Sequence, residues 1–224
     1  MAMPSDDDPK LWTEQRFRTT AAQALHSAPP IFPSREADLS QPQDDAEPDP
    51  AGQQKLGAIQ VPRAAAVLIP VIMRAQLSIL LTQRAAHLSN HAGQIAFPGG
   101  RIEESDAGPM AAALREAEEE VGLQPDVIEP LGYLDGCLTG TGFHVVPLVA
   151  LVKPNFSLKL DHGEVDEAFE VPLSFLMNDA NHQIRKRAWQ GRMVSYYVMS
   201  YFERFIWGAT AGMIRNMHER FKQI

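Results

Sequence analysis

The sequence predicts an α/β fold in which a mixed β-sheet carries helices on both of its faces. Apolar runs of strand length alternate along the chain with segments of helical periodicity, and this alternation is typical of layered α/β domains. The runs within 63–83 and at 143–152 are continuous in their apolar character, as in strands that are covered on both faces. Between them lies a helix that begins at Pro109 and ends before Gly122.

The other predicted elements follow in chain order. A turn at Arg74 and Ala75 divides the first apolar run into two strands. Strand-like segments lie at 127–135, 164–171 and 193–199, and helix-like segments lie at 173–177 and 208–221. These elements together predict one domain over 61–224.

The first 60 residues have a different composition and are predicted to form an extension. They contain ten acidic residues, five Lys or Arg and eight of the 17 prolines. The segment 36–52 is an acidic, proline-containing linker that cannot bury enough apolar surface to order itself. Before it, 11–26 has the apolar spacing of a helix that Pro29 and Pro30 would end.

Charge and cysteine content limit the classes of function. The net charge of −8 argues against general nucleic-acid binding, which depends on clustered Lys and Arg. The single cysteine, Cys137, excludes an internal disulfide framework and fits a reducing compartment, where a packing role is expected for it. The longest apolar stretch, 64–73, is too short to cross a bilayer, and the N-terminal residues lack a secretory pattern. We therefore expect a cytoplasmic protein without a membrane partner.

The helix at 109–121 carries the most informative pattern in the chain. On a helical projection Met110, Leu114, Ala117 and Val121 share one stripe that can face a core. Glu116, Glu119 and Glu120 share another face, on which Ala112 and Ala113 are predicted to leave space for a ligand. Glu118 points away and is expected to be solvated.

Three carboxylates within one arc of a helix repel one another unless a cation lies among them. Oxygen ligands alone suit a hard divalent ion such as Mg²⁺ or Mn²⁺, which also binds substrate phosphates. An exposed acidic face is the alternative for an isolated glutamate run. The adjoining Gly99-Gly100 and Arg115-Glu116 pairs favour the metal site.

The region resembles the Nudix box, whose second half reads Arg-Glu-apolar-X-Glu-Glu-X-Gly-apolar and matches 115–123 position by position. The first half departs from the pattern, because Asp106 takes the place of a glutamate and eight residues, not seven, precede Arg115. This longer loop resembles the coenzyme A pyrophosphatase branch of the Nudix hydrolases. The role of Asp106 stays open.

The residues upstream extend the resemblance to that branch. The segments 81–85 and 91–100 are similar to its leader, although Ser89 stands where many members carry an arginine. A weaker likeness covers 139–143 and 206–210. The resemblance implies a Nudix-type α/β/α sandwich with a mixed β-sheet, and it allows a homodimer.

The resemblance also implies an activity and roles for particular residues. The activity is Mg²⁺- or Mn²⁺-dependent cleavage of coenzyme A or its thioesters to 4′-phosphopantetheine and adenosine 3′,5′-bisphosphate. The predicted metal ligands are Glu116, Glu119, Glu120 and the Gly100 carbonyl. Arg115 is expected to pair with a carboxylate of the box and hold the helix to its loop. The general base is one of the box glutamates, Glu119 or Glu120, or the later residue Glu164, for which a solvated loop position is the alternative.

Candidate substrate contacts come mainly from the leader. Guanidinium groups match phosphate in a bidentate manner, so Arg84 and Arg101 are candidates for the 3′-phosphate or the diphosphate, with a surface salt bridge as the alternative. The other candidates are His87, His91, Gly93, Gln94 and Gly99. The aromatic residues Trp189, Trp207, Tyr196 and Tyr197 are predicted to serve a core or an interface.

Two alternatives stay open at the level of sequence. The same chemistry can act on another nucleoside diphosphate derivative, such as NADH, ADP-ribose or a dinucleoside polyphosphate, because specificity lies in loops. A non-catalytic nucleotide-sensing module is the alternative from another class, although such a module has no need to keep Glu119 and Glu120.

Overall fold

The structure is a computed structural model that describes residues 12–31, 62–88, 91–189 and 192–224. In these ranges the α-helices are α1 (Glu14–Ala24), α2 (Pro109–Val121), α3 (Leu173–Leu176) and α4 (Gly208–Lys222). The strands are β1 (Arg63–Ile72), β2 (Ser78–Arg84), β3 (Ile95–Ala96), β4 (Gly99–Arg101), β5 (Ile128–Tyr133), β6 (Cys137–Leu138), β7 (Phe143–Val152), β8 (Val165–Pro172), β9 (Gln183–Trp189), β10 (Arg192–Tyr201) and β11 (Arg204–Trp207). The predicted linker at 36–52 lies outside the described residues.

Eight of these strands form one mixed sheet. Its central order is β3-β2-β1-β7-β5, with β4 and β8 paired to β1 and β2, and β6 paired to β7. Strands β1 and β7 run parallel over ten residue pairs, whereas the other pairings are antiparallel. Strands β11, β10 and β9 form a second, antiparallel sheet. The predicted mixed sheet is therefore confirmed.

The sheet separates two hydrophobic cores, as the continuous apolar strands predict. Along β1, Ala65, Ile69 and Val71 enter one core, which α1, α3, α4 and the second sheet cover. The intervening residues Ala66, Leu68 and Ile72 enter the other core, which α2 covers. Alternate side chains of a strand point to opposite faces, so this arrangement is the predicted α/β/α sandwich.

Helix α2 has the predicted bounds, and its predicted apolar stripe faces the core except at Met110. Pro109 occupies its first turn, and Gly122 ends it in the left-handed conformation with φ of 75°. Met110 is 39% exposed, whereas Ala112 and Ala113 are fully buried in the second core. The prediction that these two alanines leave space for a ligand is wrong, because their small side chains instead let the helix lie close against the sheet.

Helix α1 confirms most of the helix predicted at 11–26 and packs on the rest of the molecule. Phe17 is fully buried, and its ring lies 5.4 Å from the ring of Phe221 in α4. Arg18 forms an ion pair with Glu129 at 2.5 Å on β5. The boundary predicted near residue 60 stays a prediction, but α1 belongs to the first core.

Strands β9 and β11 were not predicted, because their sequences lack a clear apolar alternation. The expected packing role of Cys137 agrees with its position in the first core. Among the described residues, no helix combines the length and the apolar character that spanning a bilayer requires.

Candidate active site

Two glutamates of α2 lie directly against the Gly99-Gly100 turn. The Gly99 N–H donates to Glu120 Oε2 at 3.1 Å. A Cβ atom on Gly100 would collide with the carboxylate of Glu116, so a side chain there would displace this carboxylate. Strand β4 holds this turn beside β1 through the pairs Val67–Gly99 and Ala66–Gly100. The strand and the helix therefore bring the backbone and the carboxylates together.

Arg115 connects the helix to the loop that precedes it. Its guanidinium donates to both Asp106 oxygens at 3.1 and 3.0 Å and to the Arg101 carbonyl at 3.1 Å. It also donates to Glu116 at 3.0 Å and to Glu119 at 2.9 Å. The hydrogen bond from Arg115 lowers the pKa of Asp106. Asp106, whose role the sequence left open, thus anchors the arginine.

Glu116, Glu119 and Glu120 form a carboxylate cluster whose negative charge nearby cationic side chains neutralise only in part. Glu120 is only 3% exposed, and burial raises its pKa to about 7 against the partial opposition of the Gly99 N–H and Arg84. Burial also raises the pKa of Glu116, which Arg115 opposes. The charge of Glu164 adds to both increases, so Glu164 lies near the same cluster, although it is exposed.

These residues fit a divalent cation. The donors are carboxylates without histidine or cysteine, and such a set suits Mg²⁺ or Mn²⁺. A cation would also relieve the cost of keeping the Glu120 carboxylate charged while it is buried. Glu119 is the most accessible of the three, with a side chain that is 60% exposed. The participation of the Gly100 carbonyl stays a prediction.

A cavity of about 270 Å³ adjoins the carboxylates and shares Arg84, Gly99 and Gly100 with them. Arg84 Nη1 lies 3.6 Å from Glu120 Oε1, so this guanidinium faces both the cavity and the cluster. The predicted substrate contacts that line the cavity are Arg84, His91, Gln94, Gly99 and Arg101.

The remaining predicted contacts lie elsewhere. Among the described residues, Gly93 does not line the cavity; it adopts a φ of 70° and donates its N–H to the Arg84 carbonyl, which shapes the leader loop. His87 is exposed and is also absent from the lining. His91 Nδ1 and Gln94 Oε1 are 2.8 Å apart, which orients both side chains.

Sequence reasoning missed several residues that the fold brings to the cavity. They are Thr139, Thr141, Phe143, Trp207, Gly208, Ala209 and Thr210. Trp207 was predicted to serve a core or an interface, but it is partly buried and forms part of the cavity wall. The signal was the weak likeness over 139–143 and 206–210, because both segments contribute to this wall.

Another group of potential metal ligands lies on the opposite side of the sheet. Asp179, His182 and His218 place ligand atoms within 4.8 Å of one another. Arg215 Nη1 lies 3.0 Å from Asp179 and 3.3 Å from His182, and Lys222 lies 2.8 Å from Asp179. The hydrogen bond from Lys222 is the main reason that the pKa of Asp179 is lowered. Two cations already balance this carboxylate.

The fold and the acidic helix define a class of protein. The family model described as NUDIX domain matches residues 62–195, which is more than half of the chain. The chain therefore belongs to the Nudix family and is a Nudix hydrolase. Nudix enzymes generally use divalent metal ions such as Mg²⁺ or Mn²⁺.

Two relatives and one solved structure that are similar to this chain carry the Nudix description. The uncharacterized Nudix hydrolase NudL of Escherichia coli K12 is 41% identical over 155 residues, which cover 69% of this chain and 81% of the relative. The protein of the same description from Citrobacter koseri is 44% identical over the same shares. The NUDIX domain of Shewanella oneidensis NrtR, solved with ADP ribose, is 22% identical with a TM-score of 0.42, and the match covers 55% of this chain and 81% of that domain.

Proposed function

We propose that this Nudix hydrolase cleaves the diphosphate of coenzyme A or its thioesters to 4′-phosphopantetheine and adenosine 3′,5′-bisphosphate. The observation that carries the proposal is the position of the leader segment. Its residues Arg84, His91 and Gln94 line a cavity that adjoins the carboxylate cluster, and Arg84 contacts Glu120 of that cluster. The part of the sequence that resembles the coenzyme A branch is thus the part that a substrate would contact.

Glu116, Glu119 and Glu120 would hold the divalent ion, with the Gly100 carbonyl as a further predicted ligand. When bound, the ion neutralises charge on the diphosphate and orients the attacking water. Arg115 and Asp106 keep the helix and loop in register, so that the carboxylates stay next to the Gly99-Gly100 turn.

Arg84 is the proposed contact to the diphosphate itself. Its guanidinium lies between the buried Glu120 carboxylate and the cavity, and its side chain is 27% exposed. A guanidinium in this position can donate to phosphate oxygens while its charge offsets that of Glu120. His91 and Gln94, which are hydrogen-bonded to each other, present further polar atoms to the same ligand.

Glu164 is the proposed general base. It is exposed, it faces Glu116 and Glu120, and the Ala85 N–H donates to its carbonyl at 2.8 Å, which fixes the loop beside the leader. We expect Glu164→Gln to lower kcat with little change in KM. The control Glu118→Gln, at an exposed position of α2, should leave both unchanged. If Glu164→Gln keeps the kcat of the wild type, the general base is instead one of the box glutamates.

The test of the substrate is hydrolysis of coenzyme A by the purified protein with Mg²⁺ and with Mn²⁺. NADH, ADP-ribose and dinucleoside polyphosphates form the comparison panel, and chromatography identifies the products. We expect a preference for coenzyme A with release of adenosine 3′,5′-bisphosphate. A preference for another compound would overturn the coenzyme A assignment, whereas nucleotide binding without turnover would favour the sensing module.

The proposal includes a cytoplasmic site of action, which the cysteine content and the N-terminal residues favoured, and a homodimer, which the resemblance allowed. Light scattering of the purified chain measures the oligomeric state. A monomeric mass at the concentrations used for the assay would contradict the dimer without affecting the proposed chemistry.

A further inference from the structure

Three adjacent strands bring together an aromatic ring and two guanidinium groups. The ring and one guanidinium group line the cavity, and the other guanidinium group lies over the ring. Arg63 at the start of β1 is paired in register with Phe143 at the start of β7, and Arg101 of β4 is paired with Ala65 on the other side of β1. The guanidinium carbon of Arg63 lies 3.9 Å from the centre of the Phe143 ring, and that of Arg101 lies 5.6 Å from it. Phe143 and Arg101 line the cavity.

These two arginines differ from most others in the molecule. Arg18, Arg74, Arg115 and Arg204 each form an ion pair with a carboxylate. Within the described residues, neither Arg63 nor Arg101 has such a partner. Two like charges against one ring, in a protein with a net charge of −8, form a local excess of positive charge.

The surrounding contacts hold the arginines in place without using all of their donors. Arg63 Nη2 donates to the Thr141 carbonyl at 3.0 Å, and the Arg101 carbonyl accepts from Arg115 at 3.1 Å. Stacking on a ring uses the face of a guanidinium and leaves N–H groups at its edge for an anion. The Thr139 and Thr141 hydroxyls, 3.0 Å apart, lie on the same cavity wall.

We propose that Arg63 and Arg101, stacked on Phe143, form a second anion subsite that binds a phosphomonoester carried by the substrate outside its scissile diphosphate. A phosphomonoester carries nearly two negative charges at neutral pH, which matches two guanidinium groups. The inference rests on the proposed function, because coenzyme A has one such group, its 3′-phosphate. Under this proposal Arg84 binds the diphosphate, and the Arg63–Arg101 pair binds the 3′-phosphate.

The first test compares coenzyme A with dephospho-coenzyme A, which lacks only the 3′-phosphate. We expect the wild type to prefer coenzyme A in kcat/KM by roughly tenfold or more, the size expected for charge-assisted hydrogen bonds. The double variant Arg63→Gln/Arg101→Gln should lose this preference through an increase in the KM for coenzyme A. The single variant Arg101→Gln should lose part of it, and circular dichroism shows whether each variant is folded.

The matched control is Arg185→Gln. Arg185 also stacks on a ring, that of Phe205 at 5.0 Å, and it too lacks an ion pair among the described residues, but it does not line the cavity. The control removes the same charge and should keep the wild-type preference. An equal preference in the double variant, the control and the wild type would overturn the subsite.

A binding titration separates failure of the subsite from failure of the substrate assignment. Isothermal titration calorimetry compares adenosine 3′,5′-bisphosphate with adenosine 5′-monophosphate and does not require turnover. Tighter binding of the bisphosphate that the double variant loses would support the subsite even if coenzyme A were not hydrolysed. Equal affinity of the wild type for both nucleotides would overturn it.

Discussion

The glutamate cluster on α2 and the histidine cluster near the end of α4 lie on opposite sides of the sheet. They differ in how far cationic side chains neutralise their carboxylates. In the first, burial raises the pKa of Glu120 to about 7, and Arg84 and Arg115 only partly offset the carboxylates. In the second, Asp179 accepts from both Arg215 and Lys222, and its pKa is lowered.

The comparison shows that ligand geometry alone does not identify a metal site. Asp179, His182 and His218 are close enough together to hold an ion, yet their negative charge is already neutralised by side chains that tie α4 to the segment after α3. The glutamate cluster retains a deficit of positive charge and adjoins a cavity. A deficit of charge beside space for a ligand marks the functional cluster.

The largest expected difference between the clusters is in turnover. Glu120→Gln should lower kcat at least ~100-fold, because it removes a proposed metal ligand and its charge. Asp179→Asn, the same change in the other cluster, should keep wild-type activity. Steady-state hydrolysis of the best substrate of the panel measures both, and comparable losses in the two variants would remove the distinction.

Metal affinity should separate the clusters next. Removal of divalent ions with a chelator should abolish turnover, and Mn²⁺ titration of the metal-free protein, followed by electron paramagnetic resonance, should show binding that Glu116→Gln weakens by ~10- to 100-fold. His182→Gln should leave this binding unchanged. Loss of Mn²⁺ binding in the histidine variant would instead place the ion in the second cluster.

Glu120→Gln should increase the stability of the metal-free protein, although it removes a side chain of the proposed active site. The pKa of Glu120 rises from 4.5 to about 7 on folding, so the wild type loses stability as pH increases through that interval. The glutamine avoids this loss and should stabilise the fold by about 3 kcal/mol at most above pH 7, with no gain below pH 4.5. Urea unfolding with a chelator at pH 8 and pH 4.5 measures it, and an equal effect at both values would contradict the cause.

The smallest expected effect is the opposite response of the histidine cluster. Asp179→Asn should lower the melting temperature at pH 7, because it removes the ion pairs to Arg215 and Lys222. The pKa of Asp179 is depressed, so its contribution is present above the ordinary value of 3.8 and disappears as pH falls through the folded value. Thermal unfolding at neutral pH decides the sign, and a rise would show that the two clusters are alike.

Much of the fold was predictable because its signals are local. Helix α2 begins and ends at the predicted residues, since Pro109 and Gly122 have specific backbone requirements at helix termini. The strands β1 and β7 are continuous apolar runs, and their burial on both faces follows from that composition. Strand β9, in contrast, contains three cationic residues within seven and has exposed side chains, so its pairing depends on β10 and is not visible in its own sequence.

The functional site also has parts that local sequence patterns predict and parts that they do not. The glutamate face and the Arg115 contacts follow from residues within one helix and its loop, which a spacing argument can reach. The predicted apolar stripe of α2 faces the core except at Met110, whereas Ala113 was wrongly placed on the ligand side. Periodicity ranks Met110 above Ala113, but close packing on a sheet favours the smaller residue. Trp207, at the end of β11, joins the cavity through tertiary packing, and its own sequence signalled this only through the weak likeness over 206–210.

The docking of α1 constrains the order in which the molecule completes its fold. Arg220 donates to the Ala24 carbonyl at 2.7 Å, and Phe17 packs on Phe221, so a segment near the start of the chain is sealed by residues near its end. During synthesis these contacts cannot form until α4 has left the ribosome. The contacts of α1 with β5 can therefore form earlier in synthesis than its contacts with α4.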